Sequence, residues 1–142
     1  MRTVHSIDYS EARMVVDALL QEAAKVGDTA VVAVVDPAGE LIAFARMDGA
    51  PVSSIRIAQN KAYSAARERK STAEIGRKSR DAEKGFDTAW FGDDRFLGWG
   101  GGVPVVRQGQ VIGAIAISGL PQAEDIRLAT WAATLIPGAT EE

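Results

Sequence analysis

Val31-Val32-Ala33-Val34-Val35, Asp36-Pro37-Ala38-Gly39 and Leu41-Ile42-Ala43-Phe44-Ala45 are three short segments that decide the fold of this 142-residue chain. The first is a continuous run of valine broken by one alanine. It has no polar alternation, so it reads as a strand buried on both faces. The second has turn chemistry: proline presets φ and glycine supplies positive φ. The third returns as a second strand, and the three together predict a hairpin. Farther along, Val103-Pro104-Val105-Val106-Arg107 and Gln110-Val111-Ile112-Gly113-Ala114-Ile115-Ala116-Ile117 flank Gln108-Gly109, a second hairpin signal. Pro104 marks an edge or a strand start, because it has no amide to give to a ladder.

Helices fill the remainder. Asp8 and Glu11 have the spacing of an N-cap and its N3 partner. Ala12, Val15, Val16, Leu19, Leu20 and Ala23 follow on one helical face, and Gly27-Asp28 ends the helix. Ser53 or Ser54 is the expected cap of a second helix, whose stripe of Ile55, Ala58, Ala62, Ala65 and Ala66 is narrow and alanine-rich. Ser71-Thr72-Ala73-Glu74 opens a third, more polar helix that ends before Gly85. A last helix starts near Pro121, carries Ile126, Ala129, Ala132, Ala133 and Ile136, and is stopped by Pro137-Gly138. Locally paired strands and flanking helices predict one α/β (α+β) domain over residues 1–142, an antiparallel sheet of four to five strands covered by helices. Residues 1–7 and 138–142 are expected to be flexible ends, the acidic terminus among them.

Composition narrows the function classes. Hydrophobic residues make up 46% and charged residues 25%, as in soluble globular domains. The net charge of -3 gives no basic patch for nucleic acid. There are no cysteines, which removes disulfides, thiolate metal sites and cysteine nucleophiles. The first residues lack an apolar signal-peptide core and no run is long enough to span a bilayer, so a cytoplasmic protein with no membrane partner is expected.

Chemistry concentrates in four places. Gly100-Gly101-Gly102 carries a backbone entropy cost that a plain loop does not need, which points to positive φ or to a group approaching the backbone, and its amides can face an anion. Arg46 can grip a carboxylate, and Asp48 can act as acid or base or orient Arg46; an internal ion pair is the plainer reading. Lys61 falls beside the alanine stripe, where burial would lower its pKa and suit it to proton transfer, imine formation or anion binding; a surface lysine is the alternative. Asn60 beside it can bond a ligand or the backbone. Residues 85–99 form a long irregular stretch holding Phe86, Trp90, Phe91, Phe96 and Trp99, a combination that suits a ligand-stacking rim or a subunit interface. His5 is the one histidine, and no metal site is expected.

Several ordered pieces are similar to those of a known family. They are Val32-Ala33-Val34-Val35-Asp36 with Gly39, Arg46-Met47-Asp48-Gly49-Ala50, Lys61-Ala62-Tyr63, Gly101-Gly102-Val103-Pro104, and Val111-Ile112-Gly113-Ala114-Ile115-Ala116-Ile117-Ser118-Gly119 with Glu124-Asp125. In this order, over roughly residues 8–136, the chain resembles the GlcG/HbpS family, also called the haem-degrading domain family. The resemblance implies a profilin-like fold, a homo-oligomer from dimer to octamer, and binding of haem or another tetrapyrrole. Three functions follow as expectations. The first is a small-molecule-binding protein with haem as the implied cofactor, its ligand held by Arg46, Asn60, Trp99 and Gly100 to Gly102. The second is a cofactor-independent isomerase, hydratase or lyase of a catabolic pathway, acting on a small carboxylate through Lys61 and Asp48. The third is a structural oligomeric accessory protein. Whether the chain is an enzyme stays open at this point.

Overall fold

The computed structural model describes residues 1–140. Helix α1 (Tyr9–Lys25) opens on the expected capping box: Asp8 accepts from the Glu11 amide at 2.8 Å, and the Glu11 carboxylate accepts from the Asp8 amide at 3.0 Å. Strands β1 (Val31–Val35) and β2 (Leu41–Arg46) form the first hairpin. Helices α2 (Ser53–Glu68) and α3 (Thr72–Ser79) follow, then a 3-10 turn at Thr88–Phe91. Strands β3 (Gly102–Arg107) and β4 (Gln110–Ser118) form the second hairpin, and helix α4 (Gln122–Ala133) and a two-residue strand β5 (Ala139–Thr140) complete the domain. The strand order is β2-β1-β4-β3-β5, antiparallel throughout.

β1 sits near the centre because both of its faces are apolar. Val32 and Val34 join Val15, Val16 and Leu19 of α1 and Leu128 and Ala132 of α4 in one core. Val31, Ala33 and Val35 face the other way, into a second core with α2. That second core is built from small residues: Ala58, Ala62, Ala65 and Ala66 of α2 lie over Ala33, Ala114 and Ala116 of the sheet. Methyl against methyl brings the helix axis close to the strands, and the carbonyl of Lys61 ends up where a Cβ on Gly102 would be.

The structure departs from the sequence reading at the start of α2. Neither serine caps it. Val52 occupies the cap position without a side-chain bond, and the Pro51 and Val52 carbonyls accept from the Ser54 and Ile55 amides instead. Ser54 is turned inward, where its hydroxyl accepts from that of Ser118 at 3.3 Å. Local polarity marked the right place but the sheet claimed the side chain.

The β3 edge is closed by three devices. The Thr72 hydroxyl accepts from the Gly102 amide at 2.9 Å and donates to its carbonyl at 3.4 Å. Pro104 has no amide to expose, and β5 pairs with Val106 and Arg107. At the other end of the chain the Ile7 amide donates to the Ile112 carbonyl at 2.8 Å, with the Ile7 side chain buried. Ile7 and β5 thus tie both terminal segments to the sheet, while the expectation for the acidic terminus at 141–142 lies outside the described residues.

Substituting Gly102 tests the close approach. A Cβ there meets the Lys61 carbonyl carbon and oxygen at 2.9 and 2.6 Å, both backbone atoms. A Cβ on Gly100 meets Ile126 Cδ1 at 2.6 Å, the tip of a flexible side chain. Gly102→Ala is expected to lose about 1–3 kcal/mol in urea unfolding, and Gly100→Ala clearly less. Equal losses would refute close packing of α2 as the cause.

Candidate functional site

Lys61 is the largest fully buried side chain among the described residues, 1% exposed. The small residues around it on α2 explain how it gets there: they draw the helix onto the sheet, and the lysine goes with them. Its ammonium donates to the Ile117 carbonyl at 3.0 Å and to Asp125 Oδ2 at 3.2 Å. The Trp99 ring centroid is 5.9 Å away, within range of a cation–π contact. Asp125, 2% exposed, accepts in addition from the Leu120 amide at 3.3 Å. One ion pair therefore joins α2, the end of β4 and the first turn of α4.

The glycine run is shaped around this pair. Gly101 has φ of 126°, and a Cβ there would stand 2.6 Å from Lys61 Nζ and 2.8 Å from the Ile117 carbonyl oxygen. Any side chain at 101 would take the space of the ammonium. The amides on either side are used within the chain: Gly100 donates to Gln122 Oε1 at 3.0 Å and Gly102 to Thr72. Those two donors are not turned to a ligand, in contrast to the anion-facing nest that the sequence suggests.

Burial governs the electrostatics. It lowers the Lys61 pKa, against which the attraction and hydrogen bond of Asp125 pull upward. It raises Asp125 to about 6, against the pull of Lys61 and of the Leu120 amide. A lysine with a depressed pKa has the chemistry of a base or an imine-forming amine. Its Nζ is closed off from solvent, however, and both of its hydrogen-bond acceptors are internal.

The other candidates lie apart from this pair. Arg46 and Asp48 are exposed at and beyond the end of β2, and among the described residues they form no ion pair with each other or with Lys61. Asn60 is half-buried on α2. Trp99 is 55% exposed and lines an open groove of about 390 Å³ with Gly76, Gly98, Arg80 and Gln122. Among the described residues no three histidine, aspartate or glutamate side chains gather into a metal-binding group, and no helix is long and apolar enough to cross a membrane.

The aromatic stretch is ordered by a cluster that sequence reasoning missed. Tyr63 donates to Asp93 and accepts from Arg95 at 2.7 Å, and the Arg67 and Arg95 guanidiniums lie 4.7 and 4.0 Å from its ring centroid. Arg95 also holds Asp93 through two hydrogen bonds of 3.0 Å, which keeps the carboxyl well below its usual range. From Tyr63 the rings of Phe96, Phe91 and Phe86 follow at centroid spacings of 5.4, 4.9 and 5.3 Å. Trp90 stands outside this ladder, 81% exposed.

Comparison with known proteins places this architecture. The family model described as haem degrading protein HbpS-like matches residues 7–134. Protein GlcG of Escherichia coli K12 is 34% identical over 118 residues, covering 83% of this chain and 85% of GlcG. The crystal structure of Klebsiella pneumoniae ORFY superposes with a TM-score of 0.89 at 31% identity, covering 96% of this chain and 94% of that one. A double mutant of Streptomyces reticuli HbpS superposes at 0.86 with 26% identity, covering 96% and 90%.

The buried pair makes two linked predictions. Lys61→Met alone strands a buried carboxylate and is expected to cost about 3–5 kcal/mol, whereas Lys61→Met with Asp125→Leu recovers most of that loss. The folded-state pKa of Asp125 is raised above its unfolded value, so its favourable contribution is present at low pH and is lost as pH rises through about 6. The double variant lacks this dependence. Its urea midpoint should therefore gain on that of the wild type between pH 4 and pH 7, and a constant difference would show that Asp125 does not titrate there.

Proposed function

This chain belongs to the HbpS-like family, and from that premise we propose that it is a small-molecule-binding protein whose ligand is haem or a related tetrapyrrole. The observation that carries the proposal is the family match across residues 7–134, which takes in every helix and four of the five strands. The donor set is compatible with an iron porphyrin. The chain has one histidine and no cysteine, and that histidine, His5, is exposed and free of the packed cores. An imidazole is a common axial ligand of haem iron. Bound in this way, haem would bring redox and oxygen chemistry that no side chain here supplies. The chain's own contribution is a rigid body that presents the imidazole, cations for the propionates and apolar surface for the ring.

A second reading keeps Lys61 as a buried base of a cofactor-independent isomerase, hydratase or lyase acting on a small carboxylate. Its depressed pKa favours that reading. Substrate would have to displace Trp99 or Asp125 to reach Nζ, and neither Asp48 nor Arg46 contacts it. The ligand-binding reading needs no such rearrangement. An accessory role without a ligand rests on no feature of its own.

Self-association is part of the proposal. Trp90, Val52, Phe86 and Leu41 are large apolar side chains left exposed on the single chain, at 49% to 81% of their area. Surfaces of this kind are covered when copies assemble. Light scattering of the purified protein should give a multiple of 15.1 kDa, and a mass equal to one chain would contradict assembly. Titration with hemin should shift the Soret band and saturate at a fixed stoichiometry per chain. An unshifted, non-saturating spectrum at stoichiometric hemin would rule out haem as the ligand.

A further inference from the structure

We propose that the tetrapyrrole site is the groove between the segment preceding α1 and the two hairpin turns, with His5 as the iron ligand and Arg2 and Arg69 as the propionate partners. This rests on the haem reading above and assigns its location, which is remote in sequence from the glycine run and from Lys61.

The groove measures about 510 Å³, within the roughly 300–1,000 Å³ typical of small-molecule sites. Arg2, Val4 and His5 form one side. Pro37 and Ala38 of the β1–β2 turn, Gln110 and Val111 beside the β3–β4 turn and Arg69 at the end of α2 line the facing side. Imidazole, guanidinium and apolar side chains thus converge on one concavity, which is the combination an amphipathic iron-bearing dianion calls for. The groove beside Trp99 has Arg80 but no iron ligand, and the one along residues 87–96 has no histidine and sets Asp87, Asp93 and Asp94 against the single Arg95, which Asp93 already engages.

Three further observations support the assignment. The segment is not free to wander, because Ile7, two residues after His5, is buried and its amide is bonded to Ile112. Neither Arg2 nor Arg69 makes an ion pair among the described residues, in a chain whose net charge is negative. Both guanidiniums are thus available to a ligand's carboxylates; Arg46, Arg56, Arg77 and Arg80 are equally without an ion pair among the described residues but line no groove that also holds a histidine. Finally, Arg69 adopts φ 57°, ψ 35° as the cap of α2, a left-handed conformation that disfavours a long side chain. Glycine or asparagine would suit the backbone better, so an arginine here points to a use for its guanidinium.

The test separates this location from the haem reading itself. Hemin and iron-free protoporphyrin IX are titrated into wild type, His5→Ala, Arg2→Ala and Arg69→Asn. Wild type should bind both. His5→Ala should lose the histidine-ligated Soret and visible bands and bind hemin about tenfold or more weakly, with protoporphyrin IX affinity unchanged. Arg2→Ala and Arg69→Asn should weaken both porphyrins, while Arg69→Asn leaves the fold at least as stable. If wild type binds hemin and His5→Ala binds it with the same spectrum and affinity, the location is overturned and the haem reading survives. If wild type binds neither porphyrin, both fall together.

Discussion

The buried ammonium of Lys61 is the point on which the packing of this domain turns. It joins α2 to the end of β4 and to α4 through one carbonyl and one carboxylate, and the glycine at 101 exists to leave it room. Replacing water around an ammonium and a carboxylate costs several kcal/mol each, and their attraction offsets this only because the geometry is closed on all sides. The rest of the α2 interface follows from the same constraint. Alanines lie on both sides of it, so the helix approaches near enough for the lysine chain to reach the Ile117 carbonyl and Asp125. Larger side chains would lift the helix and leave the charge without its partners.

Three of the family features most visible in the chain pack against one another. Lys61, the glycine run and Asp125 are mutually dependent parts of one brace. Tyr63 with Asp93 and Arg95 is a second brace, which pins the aromatic stretch to α2 and leaves Trp90 and Trp99 outward. In the proposed haem reading, ligand chemistry falls to residues that neither brace uses. These are the exposed side chains of the segment before α1, the hairpin turns and the cap of α2, consistent with binding groups placed on loops by a rigid scaffold.

Much of the fold was legible because its signals are local. The Asp8–Glu11 box, the valine run of β1, Ser71 as a cap and the Gln108-Gly109 turn each act over a few residues, and each appears in the structure where it was expected. Neither Ser53 nor Ser54 caps α2: a serine beside a helix start has two uses, and for Ser54 burial against Ser118 wins, while Ser53 stays exposed. Asp125 enters the sequence reading only as part of the family resemblance. Its spacing held a stronger signal: Asp125, Leu128, Ala129 and Ala132 share one buried face, as do Ala58, Lys61, Ala62 and Ala65. Two opposite charges, each set in an otherwise apolar stripe, identify a buried pair more firmly than either residue alone.

By itself the sequence determined the four helices, the two hairpins and the likeness to the HbpS-like family, since hydrophobic period, turn chemistry and caps operate within a few residues, whereas β5 and the 3-10 turn carry no such signal. Only the tertiary structure decided which charges meet. The partner of Lys61 is 64 residues away and that of Tyr63 is 30 away, distances over which composition has no spacing rule. It also decided that the amides of Gly100 and Gly102 are spent internally, and that His5, Arg2 and Arg69 share a groove. The reason is physical: a helix held close to a sheet by small residues fixes what its long side chains can reach.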